Sequence, residues 1–134
     1  DGDDSDAVGA GPGPEGSAQI EKLFELYFSM IGQPAKGTDF SGRSDYGPFI
    51  DAGIPSGGVF TGAEGLKTAE EASLWGGTAG VAYDPCYQLA CDTYANNNDS
   101  ALDVNADAVA FAVLKYAMST KDVNGVKGKG NSGK

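Results

Sequence analysis

The chain has no histidine. That absence excludes, from these residues alone, the Ser-His-Asp triad, the Cys-His pair and any histidine-ligated zinc site. Only two cysteines are present, Cys86 and Cys91, too few for a zinc site built from four thiolates. Basic residues are scarce: nine Lys and Arg stand against nineteen Asp and Glu, a formal charge of -10. Five of the nine (Lys115, Lys121, Lys127, Lys129 and Lys134) lie in the last twenty positions, so the body is more acidic than the total suggests. Nucleic acid, which wants a basic face, is a poor partner for such a chain. No apolar run approaches the roughly 18 residues that span a membrane, and the 134 residues hold no signal-peptide pattern and begin at Asp1 rather than Met. The chain therefore reads as a processed product or a piece of a longer one, with no membrane partner.

What is present amounts to one domain or part of one: 134 residues, 40% of them hydrophobic. Asp1 to Pro14 reads as a loop, because Asp1, Asp3, Asp4 and Asp6 repel one another and five Gly and Pro residues follow. Its carboxylates lack the Gly and final Glu spacing of a calcium-binding helical loop. A helix is predicted from Gly16 or Ser17 to about Gly32, with Ile20, Leu23, Phe24, Tyr27 and Ile31 on one stripe. Lys36 to Phe40 reads as a short strand, Tyr46 to Ala52 as a helical turn, and Ile54 to Thr61 as a buried strand. Thr68 opens a helix with Glu70 and Glu71 in its first turn, and Gly76-Gly77 closes it. A last helix, capped by Asp103 or Asn105, runs to Ser119 and is apolar on most faces, which predicts burial on most sides. Lys121 to Lys134 has the composition of a disordered tail. Helices alternating with strands indicate α/β, yet the sheet that should cover these helices is missing from the count.

The stretch Asp84-Pro85-Cys86-Tyr87-Gln88-Leu89-Ala90-Cys91-Asp92-Thr93 is the most distinctive. Pro85 stiffens its entry and Asn96-Asn97-Asn98-Asp99 follows as a turn cluster. A cysteine pair this close can close a small ring in an oxidising compartment, or stay reduced in a cytosolic loop.

Four ordered blocks carry a resemblance. They are Phe40-Ser41-Gly42-Arg43-Ser44-Asp45-Tyr46-Gly47-Pro48-Phe49, Gly53 to Glu64, Trp75-Gly76-Gly77-Thr78-Ala79-Gly80, and Asp84 to Thr93. Together they resemble the C-terminal part of the secreted di-zinc leucine-type aminopeptidases of bacteria and fungi. The likeness covers about residues 1–120 and leaves 121–134 as a Gly/Lys tail. It implies the C-terminal portion of an α/β, phosphorylase/hydrolase-like fold, with helices packed on a mixed sheet. It also implies two zinc ions in the complete enzyme, a peptide substrate, secretion, and a missing N-terminal half that brings most metal ligands and the general base. The resemblance pairs Cys86 with Cys91 as a disulfide.

The resemblance also assigns roles. Tyr87 matches a tyrosine whose hydroxyl hydrogen-bonds the tetrahedral intermediate; the alternative is that a Tyr beside a disulfide simply packs. Gly42 and Arg43 match a loop bordering the substrate, whereas Arg43 could instead pair with a surface carboxylate. Phe60 matches an aromatic of the pocket for the N-terminal side chain, or else it ends a buried strand. Gln88 stands where the family has a zinc-ligating histidine, and an amide oxygen is a weak neutral ligand for zinc. Asp103 and Asp107, four apart on one helical face, match calcium ligands of some bacterial members; two carboxylates are too few alone, and acids near a helix start also serve as caps. On this reading the chain alone is inactive. The alternative is a catalytically dead relative acting as a secreted peptide-binding or calcium-stabilised domain.

Overall fold

The computed structural model describes residues 13–124. Four α-helices follow in order: α1 (Ser17–Met30), α2 (Gly47–Asp51), α3 (Ala69–Trp75) and α4 (Asp99–Met118), with a 3-10 turn at Tyr94–Asn96 before the last. The expected loop at Asp1 to Pro14 lies outside the described residues except for Gly13 and Pro14. Two compact units share the chain, one drawn from Asp1–Val59 and Ala108–Lys134, the other from Phe60–Asp107.

In the first unit the predicted apolar stripe of α1 does the packing. Leu23 and Tyr27 are buried, and the Tyr27 ring meets those of Phe28 and Phe111 at centroid distances of 5.5 Å. The α1 start is fixed by a side chain rather than by a conventional cap. The hydroxyl of Ser17, fully buried, accepts the backbone N–H of Ser56 at 3.1 Å. That bond draws residues 54–57 against α1, where a Cβ on Gly57 would run into Ile20. Tyr116 donates to the Gln19 carbonyl at 3.4 Å. The chain after α4 turns back through Val123, buried, whose N–H bonds to the Thr120 carbonyl. This turn takes up residues 121–124, which composition assigned to the tail; the rest of that tail lies outside the described residues.

The mixed sheet expected from the sequence is not seen. Among the described residues the sole β pairing is an isolated antiparallel bridge between Leu66 and Ala82. Lys36 to Phe40 and Ile54 to Thr61 form no strand, and Ile54 and Phe60 are exposed rather than buried. The physical reason is pairing: a β-prone stretch becomes a strand only beside another strand, and among the described residues neither stretch is paired as one. The same shortage of partners shows on α4. Its predicted burial on most sides reduces to Ala108 and Ala112, while Val113 is 63% exposed and Leu114 66%. Between Ile20 and Phe24 of α1 and Val109, Val113 and Tyr116 of α4 runs an open apolar groove of about 280 Å³.

Candidate active site

The second unit is built on a short ladder. The N–H of Lys67 donates to the Val81 carbonyl at 3.1 Å, that of Tyr83 to Gly65 at 2.9 Å, and that of Asp84 to Ala63 at 2.8 Å. Helix α3 fills the connection. As predicted, Thr68 caps it, and the cap is reciprocal: the Thr68 hydroxyl accepts the Glu71 N–H at 3.1 Å while a Glu71 carboxylate oxygen accepts the Thr68 N–H at 2.7 Å. Gly76, at φ 79°, ends the helix. The Tyr83 ring lies 6.1 Å from that of Trp75 and 5.0 Å from the Lys67 ammonium. Burial holds the Tyr83 hydroxyl above its ordinary pKa of 10.0, and the neighbouring Glu71 carboxylate adds to the shift by its charge and a hydrogen bond.

The ladder delivers the chain into a run of three turns. The Tyr87 N–H closes the first onto the Asp84 carbonyl at 3.2 Å, with Pro85 in second place, where its fixed φ suits a turn. The Leu89 N–H closes the second onto the Cys86 carbonyl at 2.8 Å, and the Asp92 N–H closes the third onto Leu89 at 3.0 Å. Tyr87 and Gln88 are therefore the two central residues of the middle turn. Gln88 has φ 56°, the positive value that a type II turn demands of its third residue. A disulfide joins Cys86 to Cys91, with their Cα atoms 5.3 Å apart. The ring allowed by the spacing is thus closed, and its apex carries Tyr87, half-buried, and Gln88, exposed.

One carboxylate ties the loop down. Asp84 Oδ1 accepts the Cys86 N–H at 2.8 Å and the Asn96 side-chain amide at 2.9 Å. Asp84 and Asn96 were not singled out from sequence. The signal available was Asp-Pro before Cys, since Asp in first place bonds the backbone two residues on.

Phe60 belongs to this unit and is 63% exposed, which rules out the reading in which it ends a buried strand. Asp103 and Asp107 are exposed on one face of α4. Neither Asp103 nor Asn105 caps that helix. It begins at Asp99, where the Asn98 side chain accepts the Ala101 N–H at 3.0 Å; the Asn105 amide instead bonds back to the Ala101 carbonyl at 2.8 Å. Gly42 and Arg43 lie in the first unit. There the Tyr46 hydroxyl accepts the Gly42 N–H at 3.1 Å, and the Tyr46 ring packs on Phe40 at 5.1 Å. Tyr87 and Gln88 are thus brought together on one loop, while Gly42 and Arg43 share another.

Metal donors are sparse. Both cysteines are spent on the disulfide, and among the described residues no group of three or more His, Cys, Asp or Glu side chains converges. No helix among those residues is long and apolar enough to cross a membrane.

Residues 3–113 match Peptidase family M28. The chain is 54% identical over 112 residues to an aminopeptidase of Pseudomonas aeruginosa, covering 84% of this chain and 21% of the relative. It is 59% identical over 105 residues to a probable leucine aminopeptidase 2 of Aspergillus oryzae, covering 78% and 21%. It is also 50% identical over 129 residues to a probable lipoprotein aminopeptidase of Mycobacterium tuberculosis, covering 94% and 26%. The chain therefore spans about a fifth to a quarter of the length of the curated relatives it matches. With the disulfide-closed turn and its flanking ladder inside the matched range, this chain belongs to peptidase family M28.

Proposed function

We propose that this chain is a portion of a zinc-dependent aminopeptidase that removes N-terminal amino acids from peptides, and that it supplies substrate-side and oxyanion-side groups rather than metal ligands. The observation that carries the reading is the disulfide-closed turn with Tyr87 near its apex, in a chain that matches family M28 and relatives named as aminopeptidases. A phenol fixed on so short a ring is a preorganised donor. Such a donor, aimed where negative charge develops, is worth roughly 3 kcal/mol. Arg43 with Gly42 would border the peptide, and Phe60, exposed, would line the pocket for the N-terminal side chain.

Peptidase family M28 is zinc-dependent in general, and the donors among the described residues do not fit that metal by themselves. There is no imidazole and no free thiolate, and position 88 offers only an amide oxygen, which zinc ranks below imidazole, thiolate and carboxylate. The missing N-terminal half would have to bring the ligands, and calcium at Asp103 and Asp107 would likewise need further oxygens from outside. The disulfide favours an oxidising, extracellular location.

Gln88 favours a second reading, a catalytically dead relative that kept the pocket. Assay of leucine p-nitroanilide hydrolysis with added zinc separates the two. The chain alone is expected to show none. Joined to the preceding part of its catalytic domain it is expected to hydrolyse the substrate in a chelator-sensitive way. Substrate binding without turnover in the joined protein would favour the dead relative.

A further inference from the structure

We propose that Asp84 is the positioning residue of the Tyr87–Gln88 turn: its carboxylate, clamped between the Cys86 N–H and the Asn96 amide, sets the pose of both side chains, a task the disulfide does not perform alone. A disulfide fixes the distance between two Cα atoms, here 5.3 Å. It does not choose the peptide orientations between them, and a short ring accommodates several turn types. In this loop the choice matters, because Gln88 sits at φ 56°, a region that a side chain with a Cβ enters only at a cost.

Asp84 acts on that choice from four directions. Its N–H bonds to Ala63 at 2.8 Å, which anchors it to the ladder. Its carbonyl takes the Tyr87 N–H at 3.2 Å and closes the first turn. Its Oδ1 takes the Cys86 N–H at 2.8 Å, orienting the peptide that enters the disulfide ring. The same oxygen takes the Asn96 amide at 2.9 Å, tying the ring to the 3-10 turn that leads into α4. Hydrogen bonds to an ionised acceptor are about twice as strong as neutral ones. With Cys86 oriented, its carbonyl receives the Leu89 N–H at 2.8 Å, and that bond defines the middle turn. The pose of Tyr87 and Gln88 thus depends on a side chain outside the ring. The inference rests on the aminopeptidase reading only for what the pose is used for.

The test compares the full chain with Asp84→Ala, Asp84→Asn and Asn96→Ala. It reads amide exchange at Cys86 and Leu89, and the Gln88 Cα and Cβ chemical shifts, which report its backbone region. Asp84→Ala is expected to speed Cys86 exchange about tenfold or more. It should also move the Gln88 shifts away from the left-handed region with the disulfide intact by mass. Asp84→Asn keeps a neutral acceptor oxygen at the same place and is expected to restore the Gln88 shifts and part of the Cys86 protection. Asn96→Ala removes one bond only, and should shift Gln88 in the same direction by less; it decides the matter if Asp84→Ala does not fold. Unchanged Gln88 shifts in Asp84→Ala and Asn96→Ala would overturn the proposal, leaving the disulfide as sufficient. So would exchange that rises equally at the Glu71 amide of α3, which would make Asp84 merely structural. No turnover is measured, so failure of the aminopeptidase reading leaves this outcome separate.

Discussion

Gly62 packs against the side chain of Tyr83, and a Cβ at position 62 would overlap the ring atoms Cγ and Cδ2. Its φ of 99° is also one that side chains rarely adopt. Gly62→Ala therefore meets two penalties, backbone strain and overpacking, which together are expected to cost about 2–4 kcal/mol. Gly58 serves as the control, with nothing within 4 Å of a Cβ placed there, so Gly58→Ala should leave stability nearly unchanged. Urea midpoints of the two variants check the contrast.

The reciprocal cap on α3 gives a smaller number. Thr68→Ala removes the acceptor for the Glu71 N–H and is expected to cost about 1 kcal/mol. Thr68→Ser keeps the hydroxyl and should recover most of it. Exchange of the Glu71 amide, faster in the alanine variant alone, is the direct readout.

Tyr83 titrates late. Its hydroxyl is held above 10.0 first by burial and then by Glu71. The protonated form is the one the fold favours, so its contribution to stability is complete below pH 10 and is lost as the pH rises through the folded pKa. Phenolate absorbance, compared with that of Tyr83→Phe, should place the Tyr83 step above pH 10.0. Glu71→Gln removes the lesser causes, so Tyr83 should move down yet stay above 10.0. A return to 10.0 would mean that charge, not burial, dominates.

These sites differ in how far they could be read from sequence. The α1 stripe and the Thr68 cap were legible because helix signals are local: they repeat or bond within one turn. The strands were not, because pairing depends on neighbours that a single stretch does not specify. The start of α4 was misplaced because Asn97-Asn98-Asp99 carries turn chemistry, and the same side-chain oxygen that favours a turn also caps a helix; here Asn98 caps. Cys86 and Cys91 pointed to the ring, but nothing in Gln88 announced a positive φ, since that is imposed by the turn around it.

The disulfide itself should contribute modestly. Closing so short a ring removes little unfolded-state entropy, about 2 kcal/mol. Replacing both Cys86 and Cys91 by Ala is therefore expected to lower the unfolding free energy by about that much and leave the α3 cap intact. Loss of protection at Glu71 in the double variant would show that the ring organises the whole unit rather than its own turn.

The groove between α1 and α4 carries the largest energetic consequence. Val109, Val113, Leu114 and Met118 are 46–79% exposed on a helix whose composition predicts burial. At about 25 cal/mol per Å² of apolar surface, covering 400 Å² would be worth about 10 kcal/mol, comparable to the net stability of a domain. The chain by itself should therefore bind a fluorescent apolar dye and sediment, at tens of micromolar, above its 13.6 kDa monomer mass. Val113→Glu places a charge in the groove, and Leu114→Glu places one on a neighbouring exposed position of the same helix. If the exposed apolar surface drives association, each variant should reduce dye binding and lower the sedimented mass, Val113→Glu the more because that residue lines the groove. A dye-silent monomer at the same concentration, before any substitution, would show that this surface is satisfied within the chain and needs no cover.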